Sequence, residues 1–112
     1  MQINIQTQDF ALTDSLRNHV ERRLYFALSC CDDHIQHVGV RLSEINGPRG
    51  GADKCCDLHI IMFGLPEVMI KDIETDLYLA IDRATDRAGR TVIRKIDRHQ
   101  SLLRQGHPGR LI

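Results

Sequence analysis

Polar and apolar positions alternate over residues 2–6, Gln-Ile-Asn-Ile-Gln, which predicts a strand with Ile3 and Ile5 turned inward. The period then changes. Leu16, Val20, Leu24, Ala27 and Leu28 recur at helical spacing, and Thr13 before Asp14 supplies an N-cap and an acid in the first turn. A helix is expected from about Asp14 to Ser29. Alternation returns over residues 37–43, with Val38, Val40 and Leu42 on one face and His37, Gly39 and Arg41 on the other. Asn46-Gly-Pro-Arg-Gly-Gly51 is a loop by composition. Cys56, Leu58, Ile60 and Met62 then alternate with Cys55, Asp57, His59 and Ile61 as a third strand. Gly64-Leu-Pro66 turns the chain, and Val68 and Ile70 alternate with Met69 and Lys71 as a fourth.

The last element has the clearest pattern. Thr75 or Asp76 can cap a helix running to about His99. Leu77, Tyr78, Ile81, Ala84, Ala88, Val92 and Ile96 fall on one side of its wheel and are expected in the core. Arg83, Arg87, Arg90, Arg94 and Arg98 fall on the other side, with Lys95 adjacent. Gly89 costs about 1 kcal/mol of helix propensity, and nothing else argues for a break. Residues 100–112 contain Gly, Pro and scattered apolar groups and read as a flexible tail. The order β-α-β-β-β-α predicts an α+β fold. A right-handed βαβ crossover and an antiparallel meander give a four-stranded mixed sheet, with two helices covering one face of a two-layer sandwich. The single domain is expected to span residues 1–99. The other sheet face, with Gln2, Asn4, Gln6, His37, Arg41, Asp57, His59 and Lys71, is polar enough to meet water.

Fifteen basic and fifteen acidic residues cancel over the 112 positions, but not evenly along them. Residues 57–82 carry one basic and six acidic groups, and residues 83–112 carry eight basic and two acidic groups. A cationic C-terminal quarter on a neutral chain can mark a nucleic-acid surface. No apolar run is long enough for a signal peptide or a membrane span, so a cytoplasmic protein with no membrane partner is expected. In that reducing compartment the adjacent pairs Cys30-Cys31 and Cys55-Cys56 are expected as free thiols, one of each pair buried. Neighbouring cysteines on a strand point to opposite faces and are poorly spaced for zinc, although His37, Cys55 and His59 could share a face. No metal, cofactor or catalytic residue is assigned. No Cys-x-x-Cys or nucleophile–base set appears, and the 47–51 loop lacks the pattern of a nucleotide-binding loop.

Five arginines on one helix face need partners. Asp82 and Asp86 supply carboxylates for the first turns, and Asp97 alone follows. A solvated face aided by the helix dipole is one account of the remainder. A phosphate-contact surface is the other, because the planar guanidinium fork grips phosphate oxygens in two places. Arg17, Arg22 and Arg23 of the first helix would join the same layer. A rigid helical platform suits shape recognition of folded RNA better than base-edge reading of a DNA groove.

At these residues the chain resembles the ribosome hibernation promoting factor family, also called ribosome-associated inhibitors or sigma-54 modulation proteins. Met1-Gln-Ile-Asn-Ile5 looks like the family's first strand. Leu12-Thr-Asp-Ser-Leu-Arg17, His19-Val20 and Arg23-Leu24 are similar to its first helix. Glu74-Thr-Asp-Leu-Tyr-Leu-Ala-Ile-Asp82 resembles the start of its second. The resemblance covers about residues 1–99. It implies a fold like a double-stranded-RNA-binding domain and no catalysis. It further implies binding to the small ribosomal subunit, against 16S-type rRNA near the decoding centre, where mRNA and tRNA sites are blocked under stress. Arg17 and Arg23, and Arg83, Arg87, Arg90, Arg94 and Arg98, are the family-matched candidates for the RNA contact. Arg22 and Lys95 join them by charge. On the resemblance this is a short form, lacking the long form's dimerisation domain. Homodimer formation and pairing of ribosomes are left open.

One departure stands out. Family members often carry lysines late in the first helix, whereas this stretch is the uncharged Tyr25-Phe-Ala-Leu-Ser-Cys-Cys31. Tyr25 and Phe26 lie off the core stripe and form an apolar patch. The alternative function is therefore a protein-interaction or regulatory module of the same fold that does not act on the ribosome. Arg49 is a further candidate RNA contact, from the glycine-rich loop.

Overall fold

The computed structural model describes residues 1–45 and 53–105. The expectations for Arg49 and the 47–51 loop, and for residues 106–112, lie outside the described residues. Strand β1 (Gln2–Thr7) leads into α1 (Asp14–Leu28), a 3-10 helix (Ser29–His34), β2 (Ile35–Glu44), β3 (Lys54–Met62), β4 (Val68–Glu74) and α2 (Leu77–Gln105). The Thr13 hydroxyl accepts from the Leu16 amide at 3.1 Å, so the expected cap starts α1. Between β1 and α1 the chain turns at Asp9 (φ +73°), a conformation that a short polar side chain tolerates. The Thr7 hydroxyl closes that turn by donating to the Phe10 carbonyl at 2.7 Å.

The sheet order is β1-β2-β3-β4. β1 and β2 are parallel, with Ile3 beside Val38 and Ile5 beside Val40. β3 is antiparallel to both of its neighbours, placing Leu58 between Val40 and Ile70. The inward row of each strand therefore falls in one layer. Leu16, Val20, Leu24 and Leu28 of α1 join it from one side, and Ile81, Ala84, Ala88, Val92 and Ile96 of α2 from the other, in a single core. This is the β-α-β-β-β-α arrangement that the periodicity predicts.

Four details differ from expectation. First, α2 continues to Gln105, past the expected end at His99, so residues 100–105 are helical. The stretch Gln100-Ser-Leu-Leu-Arg-Gln105 contains no helix breaker; Gly106 is the first. Second, Tyr78 is not a core residue. It is 38% exposed, and its hydroxyl lies 3.2 Å from the Ser15 hydroxyl of α1. Third, Cys55 and Cys56 are both buried, whereas of the other pair only Cys31 is. Fourth, His19, which is not part of the apolar spacing of α1, is nevertheless half-buried between the helices. All four cysteines are free thiols. Burial pushes the Cys31 thiol up to about 11, with hydrogen bonding to Cys30 adding to the effect. Burial also raises Cys55 and Cys56, so these three thiols are protonated at neutral pH.

Candidate nucleic-acid interface

α2 carries the arginine stripe, and its first turn is fixed by Asp76, whose carboxylate accepts from the Leu79 amide at 3.0 Å. The core residues behind the stripe set its direction. Ala80, Ile81, Ala84, Ala88 and Val92 are fully enclosed, which turns the opposite side of the helix to solvent.

The stripe is not uniform. Arg83 Nε lies 3.4 Å from the Glu74 carboxylate at the end of β4. Arg87 reaches back to the same strand, donating to the Lys71 carbonyl at 2.8 Å and the Asp72 carboxylate at 3.0 Å. Arg90 donates to Asp86, one turn earlier, at 2.7 Å. Local carboxylates thus occupy the first three arginines. Arg94 and Arg98 are exposed and form no ion pair among the described residues, and the same holds for Lys95. Arg94 and Arg98 lie one turn apart and nearly eclipse one another. Lys95 turns about 100° away from Arg94. The unneutralised charge is therefore concentrated in the outer half of α2.

The three α1 arginines also divide. Arg23 is drawn toward α2, with Nε 3.3 Å from the Asp82 carboxylate. That nitrogen is buried and makes no hydrogen bond, so the attraction is an ion pair. Asp82 also holds His19 Nε2 at 2.7 Å, and the Tyr78 ring packs edge-on against the His19 ring. Asp82 therefore links the two helices; it was expected to serve the α2 stripe. Spacing carried part of the signal for this network: His19 and Arg23, and Tyr78 and Asp82, are both i,i+4 pairs, the first just off the apolar stripe of α1. Arg22 points away from the sheet by helix geometry and is exposed, with no ion pair among the described residues. Arg17 is likewise exposed with no ion pair among the described residues, but stands about 160° from His19 around α1, on the flank turned from α2. The single basic platform expected from charge is thus divided: Arg94 and Arg98 lie toward the far end of α2, Arg22 lies on the outer side of α1 nearer the level of Asp82 and Asp86, and Arg17 lies on the flank turned from α2.

On the open sheet face, His37, Cys55 and His59 share a side but do not converge. Cys55 and His59 are four residues apart on β3, about 13 Å. His59 instead lies 2.6 Å from the Glu67 carboxylate. Among the described residues no three His, Cys, Asp or Glu side chains are grouped to hold a metal. None of the described helices is long and apolar enough to cross a membrane.

Residues 3–100 match the family described as sigma 54 modulation protein / S30EA ribosomal protein. Among solved structures, the chain is similar to the Thermus thermophilus Protein Y N-terminal domain. Identity is 28% and the TM-score 0.70, covering 84% of this chain and 98% of that one. It also shares its fold with a ribosomal subunit interface protein from Coxiella burnetii, at 19% identity and TM-score 0.72, covering 84% and 96% respectively. No curated protein matches the chain.

Proposed function

The chain belongs to the sigma 54 modulation protein / S30EA ribosomal protein family, whose members are ribosome-associated factors rather than enzymes. From that premise we propose that it is a cytoplasmic hibernation factor that silences ribosomes by occupancy. It docks on 16S-type rRNA of the small subunit near the decoding centre, where mRNA and tRNA would otherwise bind. The observation that carries the RNA contact is the exposed guanidinium pair Arg94 and Arg98, which form no ion pair among the described residues, with Arg22 on the neighbouring helix. Free guanidinium groups at one-turn spacing on a rigid helix match phosphate oxygens without first breaking internal ion pairs. Arg83, Arg87, Arg90 and Arg23 support the surface less directly, since each must leave a carboxylate to reach a phosphate. No step is chemical. Inhibition follows from excluding the competing ligand, so it reverses when the protein leaves.

The test is binding of labelled protein to purified small subunits at low and near-physiological salt, beside the double variant Arg94→Glu/Arg98→Glu. Charge-assisted contacts contribute about 1.5–3 kcal/mol each, so the variant should lose more than about a hundredfold in affinity. Its thermal stability should not change, because neither side chain packs in the core. Equal binding by variant and parent would remove the outer half of α2 from the interface.

A further inference from the structure

Beside the basic surface lies a cleft that charge alone does not explain. Between the end of α1 and the middle of α2, Arg23, Phe26 and Ala27 face Gly89, Arg90 and Ile93 across a space of about 300 Å³. Its floor is the helix crossing. A Cβ on Gly89 would stand 3.0 Å from the Ala27 carbonyl oxygen, so no side chain can fill the cleft from below. Its wall is the Phe26 ring, 81% exposed and outside the core. The Arg23 guanidinium, anchored by Asp82, lies 5.9 Å from the ring centroid and steadies it.

We propose that this cleft takes one unpaired nucleobase of the bound RNA, stacked on Phe26, with an adjoining phosphate on Arg94. The inference rests on the RNA-binding function above and specifies which feature of the RNA the site accepts. Charge complementarity favours a nucleotide over an apolar peptide. A second, shallower concavity on α2, lined by Arg94 and Arg98, shares Arg90 and Ile93 with the cleft, so that four guanidinium groups, counting Arg23 and Arg90, and the carboxylates Asp86 and Asp97 line the two together. Asp86 is already engaged by Arg90, which directs a phosphate toward the Arg94 side. Every base presents a π face, and an exposed aromatic ring flanked by arginines is the usual platform for one that has left its helix. A fully paired RNA helix offers no such base.

Two RNA hairpins test this, alike except for a single bulged 2-aminopurine in one. With the parent protein, the fluorescence of the bulged base should fall on binding. Phe26→Ala should weaken binding of the bulged hairpin roughly 5- to 150-fold and leave the paired hairpin unchanged. Phe26→Trp should restore both affinity and quenching. Equal affinities of Phe26→Ala and parent for the bulged hairpin overturn the proposal, as does an equal loss on both hairpins. If Phe26→Leu binds as well as the parent, stacking is also excluded. If small-subunit binding is salt-sensitive and lost in Arg94→Glu/Arg98→Glu but indifferent to Phe26, the RNA function stands and the stacking site fails. Phe26 then belongs to a protein contact. If the parent binds neither small subunits nor RNA, both fail together.

Discussion

Gly89 shows how a residue that weakens its own helix can hold a fold together. Without a side chain it lets α2 approach the Ala27 backbone, and that crossing orients both helices on the sheet. Gly89→Ala regains about 1 kcal/mol of helix propensity. It also forces a methyl group against a backbone oxygen that cannot swing aside, at about 1–3 kcal/mol for overpacking. We expect net destabilisation of about 1 kcal/mol by urea denaturation, against a gain if the site were an ordinary helix position. Ile81→Ala, in the enclosed centre of the core, should cost about 2–5 kcal/mol in the same assay. Cys31 sets a pH limit. Its thiol ionises at about 11 when folded and near 9.0 when exposed, so over that interval the folded chain retains a proton that the unfolded chain has lost. Stability should be fully present below pH 9 and fall as pH rises toward 11, with Cys56 acting in the same direction. Thermal melts across alkaline pH should show a shallower decline in Cys31→Ala, after correction for its lower starting stability.

At the scale of elements, α2 contains two different sets of arginines that the sequence presents as one. Helical periodicity places all five on a common side, and that much was legible from spacing alone. What spacing could not disclose is that β4 ends beside the first half of α2, bringing Asp72 and Glu74 within reach of Arg87 and Arg83. The structure therefore separates two variants that charge counting treats alike. Arg87→Glu should destabilise the fold by up to about 1 kcal/mol, since it sets a carboxylate against Asp72. Arg94→Glu should leave denaturation unchanged and act on ribosome binding alone. Equal stability losses in the two variants would show that the β4 pairing is incidental. The boundary at His99 failed for a related reason. Gly106, Pro108 and Gly109 break helices only where they occur, and their influence was spread too far upstream along a segment of good helix formers.

For the whole molecule, topology was the most legible property. Four alternating segments and two amphipathic ones, in that order, leave few ways to close a single core, and the mixed sheet is one of them. The shape of the basic surface was not legible, because it depends on which flank of α1 faces α2. Asp82 turns Arg23 inward, while helix geometry sends Arg17 to the far side. On the two helices, five exposed cations, Arg17, Arg22, Arg94, Lys95 and Arg98, form no ion pair among the described residues, and they set the electrostatic contribution of the helical surface. If all five meet phosphates, the log–log slope of affinity against salt should be about −3.5 to −4.5. If Arg17 points away from the RNA as it points away from α2, Arg17→Ala should leave that slope unchanged, whereas Arg94→Ala should reduce its magnitude by nearly one.

The length of α2 has a consequence for exchange and recognition. Ile96 is its last residue in the core, and no described side chain from Asp97 to Leu103 is buried. The final nine residues, about 13 Å of helix, thus form an overhang beyond the core, in which no described side chain is enclosed. Such a segment obeys a local helix–coil equilibrium and not the global unfolding transition. Its amides should exchange with deuterium orders of magnitude faster than those between Ala80 and Val92. Arg98 stands on this overhang and Arg94 just before it. A partner that engages Arg98 must then also quiet the fraying, so amide protection beyond Ile96 should rise on binding and report occupancy directly.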